Sequence, residues 1–170
     1  ARLVPAAAGA GAAMGRTSFE RLTFRRGHFT NARFAPDGQT LFLSTFWEGG
    51  VTQLLQVRPK AGELPIGVAG ADLLSVSTAG ELAVLLPRVE TGNAYIRLGT
   101  LAVVSASGGT PRRLADDVRE ADWSPDGKSL AVSRFVGGSW RLEYPLGKQI
   151  YESAGRVSCI RVSRDGEAVA

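Results

Sequence analysis

With 170 residues, 44% of them hydrophobic and 21% charged, the chain has the makeup of one globular domain, and no window reaches the roughly 18 consecutive apolar residues that a membrane-spanning helix needs. Its one cysteine, Cys159, excludes an internal disulfide framework and a cysteine-based metal site, and its one histidine, His28, excludes a histidine metal cluster. The formal charge of +4 lies wholly in residues 1–40, where Arg2, Arg16, Arg21, Arg25, Arg26 and Arg33 outnumber Glu20 and Asp37; these arginines are scattered and lack clustered aromatics for base stacking, so no nucleic acid is expected.

In chain order, residues 1–16 are rich in Ala and Gly, lack strand alternation and are expected to be a linker. Their Gly9-Ala-Gly11-Ala-Ala-Met14 falls short of a phosphate-binding glycine loop because no strand precedes it and the last glycine is missing. The segment also lacks the Leu-rich apolar core of a signal peptide. Residues 17–24 then read as an outer strand, and His28, within Arg25-Arg-Gly-His28-Phe-Thr, as a polar connection between sheets.

From there a short pattern recurs four times: Asn31-Ala-Arg-Phe-Ala-Pro-Asp-Gly38, Leu73-Leu-Ser-Val-Ser-Thr-Ala-Gly80, Glu120-Ala-Asp-Trp-Ser-Pro-Asp-Gly127 and Cys159-Ile-Arg-Val-Ser-Arg-Asp-Gly166. The glycines are 42, 47 and 39 residues apart, a spacing that suits a four-stranded propeller blade. In each copy the corner is a hairpin turn. Pro36 and Pro125 preset φ, Asp37, Asp126 and Asp165 can bond nearby backbone, and Gly38, Gly80, Gly127 and Gly166 take positive φ at no steric cost. Apolar residues hold register around it, at Phe34, Val76, Trp123 and Val162 before the glycine and at Leu41, Leu82, Leu130 and Val169 after it.

The pattern predicts an all-β chain, a partial β-propeller of four-stranded antiparallel blades over residues 17–170. The first blade takes strands near 31–35, 40–46, 51–57 and 62–67, and the second near 73–77, 81–86, 98–105 and 110–115. The third takes 120–124, 129–135, 139–144 and 147–152, and a fourth opens at 157–163. Cys159 reads as a buried strand residue among strand-forming neighbours. Trp47, Trp123, Trp140, Phe34, Phe42 and Phe46 are expected to fill the wedges between blades. Three blades and two part-blades are too few to close a ring when propellers need about four to eight. The chain is therefore expected to complete its propeller with further sequence and, alone, to aggregate or stay molten through its unpaired edges.

No catalytic constellation is apparent. A Ser-His-Asp triad would have to run through His28, and no Gly-x-Ser-x-Gly elbow, Walker loop or kinase catalytic loop occurs. Asp116, Asp117, Glu120, Asp122 and Asp126 form the densest acidic stretch, but their spacing fits no EF-hand loop and Asp126 belongs to a corner. Neither metal nor cofactor is expected.

Ala121-Asp-Trp-Ser-Pro-Asp-Gly-Lys-Ser-Leu-Ala-Val132 and Ala32-Arg-Phe-Ala-Pro-Asp-Gly-Gln-Thr-Leu41 resemble the repeat of TolB-type β-propellers, and Gly108-Gly-Thr-Pro-Arg-Arg-Leu114 resembles an outer strand of such blades. Copy two departs from the pattern, with Thr78-Ala79 in place of Pro-Asp. The run as a whole is most similar to propellers C-terminal to membrane-anchored bacterial serine/threonine kinases, through Phe19-Glu-Arg-Leu-Thr-Phe-Arg-Arg-Gly27, Gly70-Ala-Asp-Leu-Leu-Ser-Val-Ser77 and Arg141-Leu-Glu-Tyr-Pro-Leu-Gly-Lys148. That resemblance implies a non-catalytic sensor or docking module on the extracytoplasmic side, tethered through upstream sequence, with a protein, peptide or envelope component as partner. A periplasmic TolB-like binding protein and the gating propeller of a prolyl-oligopeptidase-like peptidase are the alternatives. None of the kinase residues lies in this chain, so no catalytic position is carried over.

Overall fold

The computed structural model describes residues 22–23, 25–47, 50–87 and 98–170, which form eleven strands and no helix. The segment expected to be a linker (1–16) and most of the strand expected at 17–24 lie outside the described residues; residues 22 and 23 are not in a strand. β1 (Gly27–Phe34), β2 (Leu41–Trp47), β3 (Gln53–Arg58) and β4 (Gly62–Pro65) form one antiparallel meander in the order β1-β2-β3-β4. Each strand follows its predecessor through a short turn, so the sheet is built from local pairings.

A second sheet runs from β5 (Asp72–Val76), β6 (Glu81–Pro87) and β7 (Gly99–Ser105) through β8 (Arg112–Trp123) to β9 (Leu130–Val136), β10 (Ser139–Glu143) and β11 (Gln149–Ser153). Here the structure departs from the expected map. The separate strands at 110–115 and 120–124 are one strand, β8. Its first half pairs with β7, through Arg112 opposite Val103 and Ala115 opposite Leu101, and its second half pairs with β9, from Glu120 opposite Ser133 to Trp123 opposite Leu130. Val118 pairs with Gly99 on one side and Arg134 on the other. Asp117, at φ 58°, redirects the chain between the two halves without ending the ladder. The outer strand of one blade thus runs directly into the inner strand of the next.

The blades stack face to face, and the strand period of two divides their side chains between successive interfaces. In β6, Leu82 and Val84 join a core with Phe42 and Leu54 of the first sheet, whereas Ala83 and Leu85 join a core with Val118, Leu130 and Val132. β7 divides likewise, with Ala102 and Val104 on the first side and Leu101 and Val103 on the second. Ala131 of β9 turns to a third core with Leu142 and Ile160. Strands covered on both faces must be apolar almost throughout, which is why β6 and β7 read as near-continuous runs. The fold is all-β and partial propeller-like.

Beyond β11 the chain forms a narrow hairpin rather than a strand over 157–163. Val162 bridges Val169, and Arg161 and Ala170 exchange backbone bonds of 2.8 and 2.9 Å. Cys159 is exposed, not buried: it sits at φ 63° with its N–H donated to Glu120 Oε2, so the bend into this hairpin excludes it from the core.

His28 is not in a connection but within β1, opposite Phe46. Trp47, Trp140 and Phe42 are buried and Trp123 is half-buried, whereas Phe34 is 65% and Phe46 41% exposed. Phe34 pairs with Leu41 on the face of the first sheet turned away from β5 to β7, where no second described sheet covers it. Phe46 shares a face with Phe42 but lies at the far end of β2, outside the core that Phe42 joins.

Candidate functional site

The four corners share one geometry. Gly38, Gly80, Gly127 and Gly166 have φ of 65°, 79°, 69° and 79°, and each donates its N–H to the carbonyl three residues earlier, at 2.8–3.1 Å. Pro36 and Pro125 occupy the second turn position of their corners. Asp37 Oδ1 accepts the N–H groups of Gln39 and Thr40, and its Oδ2 accepts Thr40 Oγ1. Asp126 and Asp165 each accept a serine hydroxyl, of Ser124 and Ser163, and one backbone N–H. In copy two, where alanine stands in place of aspartate, Ser77 Oγ closes the turn by accepting Glu81 N–H.

These bonds favour the ionised carboxylates. The Thr40 hydroxyl, then the Thr40 and Gln39 amides, hold Asp37 down to about 2, and the Ser124 and Ser163 hydroxyls lower Asp126 and Asp165 in the same way. A carboxyl depressed in the folded state stabilises above its unfolded value, here 3.8, and that contribution is lost as pH falls through about 2. The thermal midpoint is therefore expected to decline across this window, less steeply in Asp37→Asn than in the wild type. Identical slopes in the two proteins would show that Asp37 does not keep these bonds.

Seven residues before each corner glycine stand Asn31, Leu73, Glu120 and Cys159, and five before it stand Arg33, Ser75, Asp122 and Arg161. The structure brings these two columns to the inner edge of the stacked blades. Side chains of one blade clasp the backbone of the next: Asn31 Nδ2 donates to Leu73 O at 2.7 Å, Trp123 N–H to Ser75 Oγ at 3.2 Å and Val162 N–H to Asp122 Oδ2 at 3.0 Å. Glu120 Oε2 accepts the N–H groups of Cys159 and Ile160, and Ser75 Oγ donates to Asp122 Oδ1 at 2.7 Å.

Between these inner strands lies a cleft of about 500 Å³. Thr30, Asn31 and Arg33 of β1, Asp72 to Leu74 of β5, Arg119 to Ala121 of β8, and Cys159 and Arg161 line it, with Leu85 behind. Arg33 is half-buried, and burial, followed by the nearby Arg161 charge, lowers its pKa, with Asp122 and Glu120 opposing.

None of the corner residues lines the cleft, so the positions that repeat in sequence stand apart from it. The cleft was not legible as a site because its columns differ from copy to copy; stacking the four copies and reading the positions seven and five before glycine would have brought together six of its residues, Asn31, Arg33, Leu73, Glu120, Cys159 and Arg161. The acidic stretch does not converge. Asp116 accepts Thr100 Oγ1, Glu120 and Asp122 hold the neighbouring blade and Asp126 closes a corner. Among the described residues no group of three or more metal-ligating side chains is placed to hold an ion.

No protein-family model matches the chain, and no curated protein matches it. Among solved structures it is similar to a candidate 6-phosphogluconolactonase from Bacteroides fragilis, with 14% identity and a TM-score of 0.46, over 84% of this chain and 47% of that one. The chain thus spans about half the length of that protein, and nothing functional is carried across from it.

Proposed function

We propose that the chain is a non-catalytic binding segment whose ligand or protein partner engages the inner-edge cleft. The observation that supports this reading is the division of labour within the repeat. Corner residues recur and serve the fold, whereas the cleft columns vary in charge and size, and four of their members, Asn31, Ser75, Glu120 and Asp122, bond to a neighbouring blade. A concave, preformed site with a few converging polar groups is the arrangement binding requires. Cys159 is the one thiol in the cleft and no histidine accompanies it to act as a base.

The resemblance to propellers of bacterial serine/threonine kinases supplies the setting: the extracytoplasmic part of a membrane-anchored kinase, recognising a peptide, protein or envelope component. Upstream sequence with a kinase domain followed by about 20 apolar residues is expected; a cleavable secretion signal with no kinase would sink the kinase setting. Binding itself is tested by attaching a photo-crosslinker to Cys159 of the full-length protein. Species captured there should be absent when the thiol is moved to the exposed loop by Thr110→Cys in a Cys159→Ser background. Equal capture from both positions would remove the cleft as the binding site.

A further inference from the structure

The charged groups of the cleft are not equally committed. Glu120 Oε2 accepts two backbone N–H groups of the next blade while its Oε1 faces Arg119 Nε at 3.4 Å, Asp72 Oδ1 accepts the Thr30 hydroxyl at 2.7 Å, and Asp122, just outside the cleft, spends its oxygens on Ser75 and Val162. Arg33 uses only Nη1, donating to Asn31 Oδ1 and to Ala32 O at 2.8 Å, and Arg161 uses only Nη1, donating to its neighbour's carbonyl at 2.6 Å. Neither is in an ion pair with a carboxylate among the described residues. Two guanidinium groups with donors to spare therefore share one cleft; burial first and then the Arg161 charge disfavour the charge on Arg33, with Asp122 and Glu120 opposing. An anion between them relieves this repulsion and accepts their remaining N–H groups, and the guanidinium fork matches the oxygens of a carboxylate or phosphate. Leu73, Leu74 and Leu85 form an apolar wall beside them.

We infer that the cleft binds an oxyanion group of its ligand, a carboxylate or a phosphate, through Arg33 and Arg161, with the attached apolar body against the leucine wall. This rests on the binding role proposed above and names the chemistry that the cleft selects. The test is calorimetric titration of the full-length protein with sodium phosphate and, separately, sodium succinate, at constant ionic strength. Saturable binding of at least one probe is expected, weakened about tenfold or more by Arg33→Gln and by Arg161→Gln and unchanged by Arg113→Gln on the exposed half of β8. Binding of phosphate alone assigns a phosphoryl ligand, and binding of succinate alone a carboxylate. Because Arg161 is exposed and its side chain bonds only its neighbour's carbonyl, Arg161→Gln tests the inference even if Arg33→Gln fails to fold. Failure of both probes to bind, or equal binding by the wild type and Arg161→Gln, would overturn it. Crosslinking from Cys159 without oxyanion binding would overturn the inference and leave the binding role standing.

Discussion

Leu82→Ala is expected to lower the stability of the full-length protein by about 2–5 kcal/mol, read as a lower urea midpoint with an unchanged slope. Leu82 has no exposed surface and sits in the wedge where β6 meets the first sheet, in one core with Phe42, Leu54 and Leu73. Both sheets are held by their own backbone ladders, so neither collapses readily onto a missing side chain, and the cavity cost persists. Leu64→Ala is the matched control: Leu64, on the edge strand β4, is 63% exposed, and its removal should change stability by no more than about 0.5 kcal/mol. A loss under about 1 kcal/mol for Leu82→Ala would mean that the blades do not pack through this wedge.

Gly127→Val is expected to cost more than Gly38→Val, although both glycines sit at the same turn position. Each has positive φ, 69° and 65°, where a β-branched residue incurs about 1–3 kcal/mol of strain. They differ in what surrounds them. A Cβ at Gly38 meets no atom within 4 Å, whereas one at Gly127 lies 2.7 Å from Thr78 Oγ1 and 3.5 Å from Thr78 N, both on the corner of the preceding blade. Thr78 is exposed and its hydroxyl can turn aside, which adds about 0.5–1.5 kcal/mol, for a total of about 1.5–4.5 kcal/mol at Gly127. Thermal melts of the two variants separate the contributions. Equal losses would show that the corners do not touch, and no loss in either would refute the positive-φ turn.

Much of the fold was legible because its decisive features are local. A turn closed by a positive-φ glycine fixes where a strand must start, and β2, β6 and β9 begin one to three residues beyond their glycines, even in copy two, where Thr78-Ala79 replace Pro-Asp. What was not legible depends on tertiary placement. Phe34 and Trp123 occupy the same repeat position, yet Trp123 packs against the core between the second and third blades while Phe34 faces outward. Periodicity shows that a face exists, but not what covers it. The continuity of β8 turns on one backbone angle at Asp117, and an aspartate in a polar stretch looks the same whether it breaks a strand or bends it. Cys159 misled because its apolar neighbours suggested a strand, while Glu120, 39 residues away, held its amide in a bend. The cleft was hidden for a related reason: its members come from four copies, and no short window contains two of its walls.

The hand-over strand β8 also sets how the molecule should breathe. A sheet that opened between β7 and β9 would have to break a strand hydrogen-bonded to both, so the second and third blades are expected to exchange their amide hydrogens through one shared opening event. The first sheet has no such strand in common with them and meets them through side chains and the apolar wedge. Its amides are free to open separately, so the β1 wall of the cleft can move while the β5 and β8 walls, which belong to one seven-stranded sheet, stay together.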